Sequence, residues 1–295
     1  MNHSLMAGVD IGGSHITAAL VDTATGAIVP ESWQRNSVPA AGTANEIIDA
    51  WSNVILSSFG QSVPARIGIA MPGPFDYEAG ICFIQGQHKY ESLYGLNIKS
   101  LLAEKLGFDL NNIRLTNDAA CFLQGEVFAG AAKGCSDVIG LTLGTGLGSA
   151  IYFDNKVADA DWWCTPFKNS IAEDYLSSRW FVLRYQQLTQ LTVPNVKQLL
   201  STGDEKNIKL IFDEFGNNLG AFLLQQQADG LVIIGGNIAQ AFSLFETSLK
   251  DCLQAAGNRT QVRPAVLGEQ AALIGAATAG LERAFRLPLE NDLKL

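Results

Sequence analysis

The strongest constraint in this chain is a glycine-turned hairpin that is written twice. Val9–Asp22 reads VDIGGSHITAALVD and Leu141–Asp154 reads LTLGTGLGSAIYFD. Laid over each other without gaps, they align Gly12 with Gly144, Ala18 with Ala150 and Asp22 with Asp154. In the first copy Val9, Ile11, Ile16, Ala18 and Leu20 keep a period-two apolar pattern, and the apolar positions of the second largely coincide with it. A repeat of this kind points to two similar halves, each opening with a turn that exposes bare main chain. Gly12-Gly13 supplies backbone freedom there, and Ser14 adds a hydroxyl. Such a turn can cradle a phosphate with its N–H groups, and Asp10, just before it, can hold water on a metal ion bound to that phosphate. The same residues also fit an ordinary hairpin.

With 295 residues, 47% of them hydrophobic and 17% charged, the chain has enough apolar material for two packed domains. The net charge is −9 and the Lys and Arg residues form no run, which argues against a sequence-independent hold on nucleic acid. No apolar stretch approaches the roughly 18–20 residues that span a bilayer, so no membrane partner is expected. Five cysteines (Cys82, Cys121, Cys135, Cys164, Cys252) stand apart without a CxxC pair. Their odd number, with no signal peptide in view, leads us to expect a soluble cytoplasmic protein with reduced thiols. Only eight residues precede Val9, so no N-terminal DNA-binding segment is expected.

Along the chain, Thr43–Gly60 carries a helical pattern with a capping box of Thr43 and Glu46. Arg66–Met71 reads as a buried strand ending at Pro72-Gly73-Pro74, and Asp76–Tyr94 as an irregular binding loop. A short helix over Ile98–Leu106 and a strand over Ile113–Leu115 lead to Thr116-Asn117-Asp118, where a helix begins. Capping alone would justify an acid at Asp118. Trp180–Leu200 and Asn207–Ala228 read as helices, Leu231–Ile234 as a strand entering Gly235-Gly236-Asn237, Ile238–Leu253 as a helix, and Gln270–Ala284 as a buried alanine-rich helix. Gly235-Gly236 fits a plain strand-to-helix turn or a nucleotide contact equally. Two other nucleotide motifs are absent: no GxxxxGK[ST] occurs, and strand-like residues follow GTGLG where a Rossmann helix would stand.

The order DIGGS, MPGP, TNDA, LTLGTGLGSA, VIIGGN and GEQAALIGAA, from about Gly8 to Gly280, resembles the ROK family of sugar kinases and sugar-responsive repressors. The resemblance implies an α/β, two-lobed actin/hexokinase-like ATPase fold built of duplicated ribonuclease H-like domains. The expected division is a small lobe over 1–116, with the C-terminal helix (about 270–295) packing back on it, and a large lobe over 117–269. It implies ATP and Mg²⁺ as cofactors. Asp10, Gly12, Gly13 and Ser14 match the first phosphate loop, with Asp10 holding the water shell of Mg²⁺. Gly144, Thr145 and Gly146 match the second loop, and Gly235-Gly236 the turn against adenosine. Asn117-Asp118 matches the catalytic pair: Asp118 would be the general base and Asn117 would hold the sugar. Gly73 would pass its backbone close to the same sugar. A homodimer is expected because the family usually forms one.

Two departures qualify the resemblance. The family's Gly-Glu-x-Gly-His segment and its zinc-binding CxCGxxGC are missing; Ala158–Glu173 offers Cys164 as its one thiolate, so no zinc is expected. In place of that segment's Glu and His, Asp159, Asp161 or Trp163, or else His88 and Lys89, would meet the sugar hydroxyls; for the Trp pair, filling the vacated space is favoured over stacking on a sugar ring. His15 stands where the family usually has Lys, which predicts weaker ATP binding. The expected activity is ATP-dependent phosphorylation of a hexose or amino-hexose hydroxyl, glucose being the default. The alternative is a catalytically weak sugar-binding regulator or sensor of the same family.

Overall fold

A computed structural model describes residues 4–87 and 89–281. His88 and the end of the alanine-rich helix, both named above, lie outside the described residues. The chain opens with β1 (Leu5–Ile11) and β2 (His15–Asp22), the antiparallel hairpin around Gly12-Gly13. Then follow β3 (Ala27–Ile28), β4 (Gln34–Ser37), α1 (Ala44–Phe59) and β5 (Ile67–Met71). The loop after β5 holds a short hairpin, β6 (Phe75–Asp76) and β7 (Ile81–Cys82), before α2 (Ile98–Leu106) and β8 (Ile113–Asn117). The first sheet runs β3-β2-β1-β5-β8, with β4 also on β2; the first pairings are antiparallel and β1-β5-β8 are parallel.

The second half repeats this plan. After α3 (Asp118–Ala129) come β9 (Val138–Leu143), β10 (Leu147–Phe153) and β11 (Lys156–Asp159). A small hairpin, β12 (Pro166–Phe167) and β13 (Ser170–Ile171), leads into α4 (Ala172–Leu176), α5 (Ser178–Thr189), α6 (Val196–Leu200) and α7 (Glu205–Gln225). β14 (Leu231–Gly235), α8 (Phe242–Ala255), β15 (Gln261–Pro264) and α9 (Gln270–Thr278) complete it. The second sheet runs β11-β10-β9-β14-β15, again antiparallel on one side of β9 and parallel on the other. β1 thus corresponds to β9, and β2 to β10, as the repeated hairpin predicts.

Each half builds its own core. The first packs Ile47, Trp51 and Ile55 of α1 against Val9, Ile16 and Ile69 of the sheet. α1 starts where the capping box puts it: the Thr43 hydroxyl accepts from the Glu46 N–H, and Glu46 accepts from the Thr43 N–H at 2.8 Å, an arrangement worth about 1 kcal/mol. The second core is aromatic, with Phe181 4.6 Å from Phe215 and 4.9 Å from Phe212, ring centre to ring centre. The predicted helix over Trp180–Leu200 is in fact two. Gln190 turns left-handed at φ 62°, and Pro194, which has no N–H to give an interior turn, precedes the restart at Val196. The helix expected from Ile238 begins with a 3-10 turn over Ile238–Ala241.

The halves meet through α3 and α9. α3 packs on β9, β10 and β11, while α9 packs on β1, β2 and β5, and the two helices lie against each other. Their crossing demands small residues. A Cβ at Gly275 would stand 1.7 Å from the Cys121 carbonyl oxygen, and one at Gly125 2.0 Å from that of Ala271. Glu126, fully buried on α3, ties the crossing down. Its carboxylate accepts from Ala131 N–H at 2.7 Å and from Val266 and Leu267 N–H at 3.1 and 2.9 Å, which joins α3 to the segment leading into α9.

Candidate functional site

A cleft of about 320 Å³ opens where the two hairpins and the two crossed helices converge. It is lined by Asp10, Gly12, Ser14 and Thr17 from the first hairpin, Asp118 and Phe122 from α3, Thr142 from β9, and Gly268, Glu269 and Ala272 near the start of α9. Four of the residues expected to act together, Asp10, Gly12, Ser14 and Asp118, therefore share one wall. The matched positions of the repeat also face the cleft: Thr142 occupies in the second hairpin the place of Asp10 in the first. A larger hollow of about 850 Å³ lies wholly within the second half. Among its lining side chains Arg184 pairs with Glu214 and Ser170 bonds to Asp174, and it shares no lining residue with the cleft.

Asp118 does not cap its helix. The cap is Asn117, whose side-chain oxygen accepts from Ala120 N–H at 3.0 Å, so the capping reading of the acid is corrected. Asp118 accepts from the adjacent Ala119 N–H at 2.9 Å, and its carboxylate faces the cleft. Solvent reaches it along the cleft while protein surrounds it on the other sides. Burial pushes its pKa up, opposed by the Ala119 N–H and by the Lys89 charge. Asp10 is pushed up to about 6, first by burial and then by the negative charge of Asp118, with Arg35 opposing and Glu269 adding. The Asp10 carboxylate has no hydrogen-bond partner among the described residues. That suits it to water molecules held on a cation.

Both turns fit phosphate oxygens. Among the described residues the N–H groups of Gly13, Ser14, Thr145 and Gly146 find no hydrogen-bond partner, and a Cβ at Gly144 would meet nothing within 4 Å. The second turn is braced from below by Glu173 of α4, which no sequence signal pointed to. Its carboxylate accepts from Leu147 N–H at 3.1 Å and pairs with Arg179 at 2.5 Å. Gly144, Thr145 and Gly146 themselves lie outside the residues lining the cleft. Gly235 and Gly236 have packing reasons for being glycine: a Cβ at Gly235 would strike the Phe122 ring at 2.4 Å, and one at Gly236, at φ 83°, the Leu143 carbonyl oxygen at 2.4 Å.

Beyond Asp118 the loop after β5 folds back over the site. Tyr77, which the sequence did not single out, donates from its hydroxyl to Met71 O at 3.0 Å and accepts from Asn117 Nδ2 at 3.3 Å. Gly73 lies beneath that hydroxyl, 3.3 Å from where its own Cβ would be. Burial raises the Tyr77 pKa, with the Asn117 bond opposing, so the phenol stays protonated. Asp159, at the end of β11, is raised by burial and by the charges of Asp161 and Asp118, which puts it within electrostatic reach of Asp118. The Trp pair divides its roles. Trp162 packs edge-on to Phe222, 6.0 Å away, whereas Trp163 is 45% exposed and donates from its indole N–H to Asp161 at 2.7 Å. His15 is exposed and hydrogen-bonded to Ser14 Oγ at 2.9 Å. Among the described residues no three His, Cys, Asp or Glu side chains gather as a metal site, and no helix is long and apolar enough to cross a membrane.

The duplicated sheets, the crossed helices and the cleft beside the first glycine turn define an actin/hexokinase-like ATPase fold of duplicated ribonuclease H-like halves. The profile of the ROK family matches residues 6–160, just over half of the chain, and the chain belongs to that family. It is 26% identical over 285 residues, spanning 83% of this chain and 88% of its relative, to an N-acetyl-D-glucosamine kinase of Shigella boydii serotype 4 (strain Sb227). A ROK family glucokinase from Streptomyces griseus, solved with glucose and AMPPNP, superposes with a TM-score of 0.71 at 26% identity, covering 92% of this chain and 98% of that one. An inorganic polyphosphate/ATP-glucomannokinase from Arthrobacter sp. strain KM gives 0.69 at 25% identity, covering 93% and 97%.

Proposed function

We propose that the protein transfers a phosphoryl group from ATP to a hydroxyl of a hexose or N-acetyl-hexosamine. The observation that carries this reading is the Asp118 carboxylate, released from capping by Asn117 and facing a cleft beside Asp10 and the first glycine turn. Bound Mg²⁺ supplies charge neutralisation on the phosphates. The chain's own groups do the rest. Asp118 accepts the proton of the attacking sugar hydroxyl, and Asp10 orients water around the cation. The open amides of Gly13 and Ser14 on one side, and of Thr145 and Gly146 on the other, hold phosphate oxygens. Gly235-Gly236 borders the adenosine. Asn117, Gly73 and the Tyr77 hydroxyl form the sugar side, with Asp159 beside them in the place of the missing Glu and His. The lobes of this reading are 1–116 with the C-terminal helix, and 117–269. Support comes from α3 packing on the second sheet and α9 on the first, so that closure of one lobe on the other would exclude water from the cleft.

The test is coupled ADP release over a panel of hexoses and N-acetyl-hexosamines in the presence of Mg²⁺. The expected result is sugar-stimulated turnover with at least one of them. Nucleotide or sugar binding without any stimulated turnover would replace this reading with that of a sensor.

A further inference from the structure

Among the described residues three basic side chains lie near the first turn: Arg35 and His15, which line the cleft and are already engaged, and one more beside Gly13. Arg35 pairs with Glu269 at 2.8 Å, and His15 is bonded to Ser14. The third is Lys89, which has no ion-pair partner within 4 Å among the described residues. Its stem lies against the turn: Cδ is 3.4 Å and Nζ 3.8 Å from where a Cβ of Gly13 would stand. Its charge also acts on Asp118. Lys89 thus lies next to the open amides of the turn and within electrostatic reach of the base.

Its placement is enforced by the next residue. Tyr90 adopts the left-handed region at φ 58°, ψ 18°, which a bulky residue holds only when its surroundings over-determine it. They do. The Tyr90 ring is fully buried, with its centre 5.2 Å from that of Trp51; its N–H donates to Ala40 O at 2.7 Å; and its hydroxyl donates to the Gly12 carbonyl at 2.5 Å. A strained tyrosine bolted to the turn's own carbonyl fixes the adjacent lysine over that turn.

We propose that Lys89 is a catalytic residue whose ammonium holds the phosphoryl group in transfer between the first glycine turn and Asp118, and that Tyr90 is its positioning residue. The proposal rests on the phosphoryl-transfer reading above. In the step, the sugar oxygen bonds to phosphorus as the bond from phosphorus to the bridging oxygen of the departing ADP breaks. Asp118 takes the hydroxyl proton, and Lys89 stays protonated throughout, facing the charge on the three non-bridging oxygens. A compact ammonium on a flexible stem suits an oxygen cluster that moves during the reaction.

Calorimetric titration with AMPPNP·Mg and with ADP·Mg, beside steady-state kinetics, tests this on wild type, Lys89→Met, Lys89→Arg and Tyr90→Phe. Lys89→Met should bind AMPPNP about tenfold or more weakly with ADP affinity within about twofold, and its kcat should fall by roughly 100-fold. Lys89→Arg should recover part of both losses, and Tyr90→Phe, with an unchanged circular dichroism spectrum, should move both in the same direction by less. Unchanged discrimination between AMPPNP and ADP in Lys89→Met overturns the proposal while leaving wild-type turnover, and so the phosphoryl-transfer reading, standing. A rise confined to the sugar KM overturns it as well, making Lys89 a sugar contact. A wild type that binds neither nucleotide removes both readings together.

Discussion

The two halves share a strand order and differ in chemistry. Where the first hairpin carries Asp10 the second carries Thr142, and Asp118 at the start of α3 lines the same cleft. All three face the same cleft, with Asp10 on the first hairpin and Asp118 on the helix that packs on the second sheet. The turns differ in the same way. The first is left open, approached by Lys89 and held at Gly12 by Tyr90, while in the second the Leu147 N–H is consumed by Glu173. Duplication of the fold supplies a symmetric cradle, and a handful of substitutions at matched positions give each wall its own task.

The comparison can be broken most severely at the helix crossing. Gly275→Val would drive a side chain into the Cys121 carbonyl, where every near atom is backbone and none is flexible enough to yield. A loss of roughly 4 kcal/mol or more is expected, read as collapse of soluble yield or of the unfolding midpoint in urea. A variant with wild-type stability would contradict the crossing as described. A smaller effect separates the two turns. Glu173→Ala removes the partner of Leu147 N–H and frees Arg179, so the second turn should loosen. We expect an ATP KM about tenfold higher, with kcat and sugar KM within about threefold and a stability cost of about 1–2 kcal/mol. Equal effects on sugar and ATP KM would show that the second turn is not specific to the nucleotide side.

Much of this was legible in the sequence because it is local. Glycine turns flanked by period-two strands announced both hairpins, the Thr43–Glu46 pair announced the start of α1, and the alignment of Val9–Asp22 with Leu141–Asp154 announced the duplicated sheets. What the sequence hid depends on side chains meeting across long separations. Glu173 reaches the second turn, Tyr77 reaches Asn117, and Arg35 pairs with Glu269 only after both sheets exist. Glu126 carries no local signal of its role, and its bonds to Val266 and Leu267 form only when the α9 approach folds over it. The exchange of cap duty from Asp118 to Asn117 turns on one residue of helix phase, which a pattern of apolar positions does not resolve.

The central claim is that Asp118 is free of cap duty and open to the cleft because its carboxylate takes the proton. Its folded pKa is raised, so any stability linked to its neutral form is present at low pH and is lost as pH rises through the raised value. kcat/KM, which reports the free enzyme, should therefore fall as pH drops through that same value, which lies above the ordinary carboxylate value of about 3.9. The most direct measurement is the Asp118→Asn variant, assayed for sugar-stimulated ADP release and for thermal unfolding at pH 8 without nucleotide. The account predicts that kcat falls by about 10²–10⁴-fold while the melting temperature rises, the rise fading toward pH 4. Retained turnover in a folded Asp118→Asn protein would contradict it.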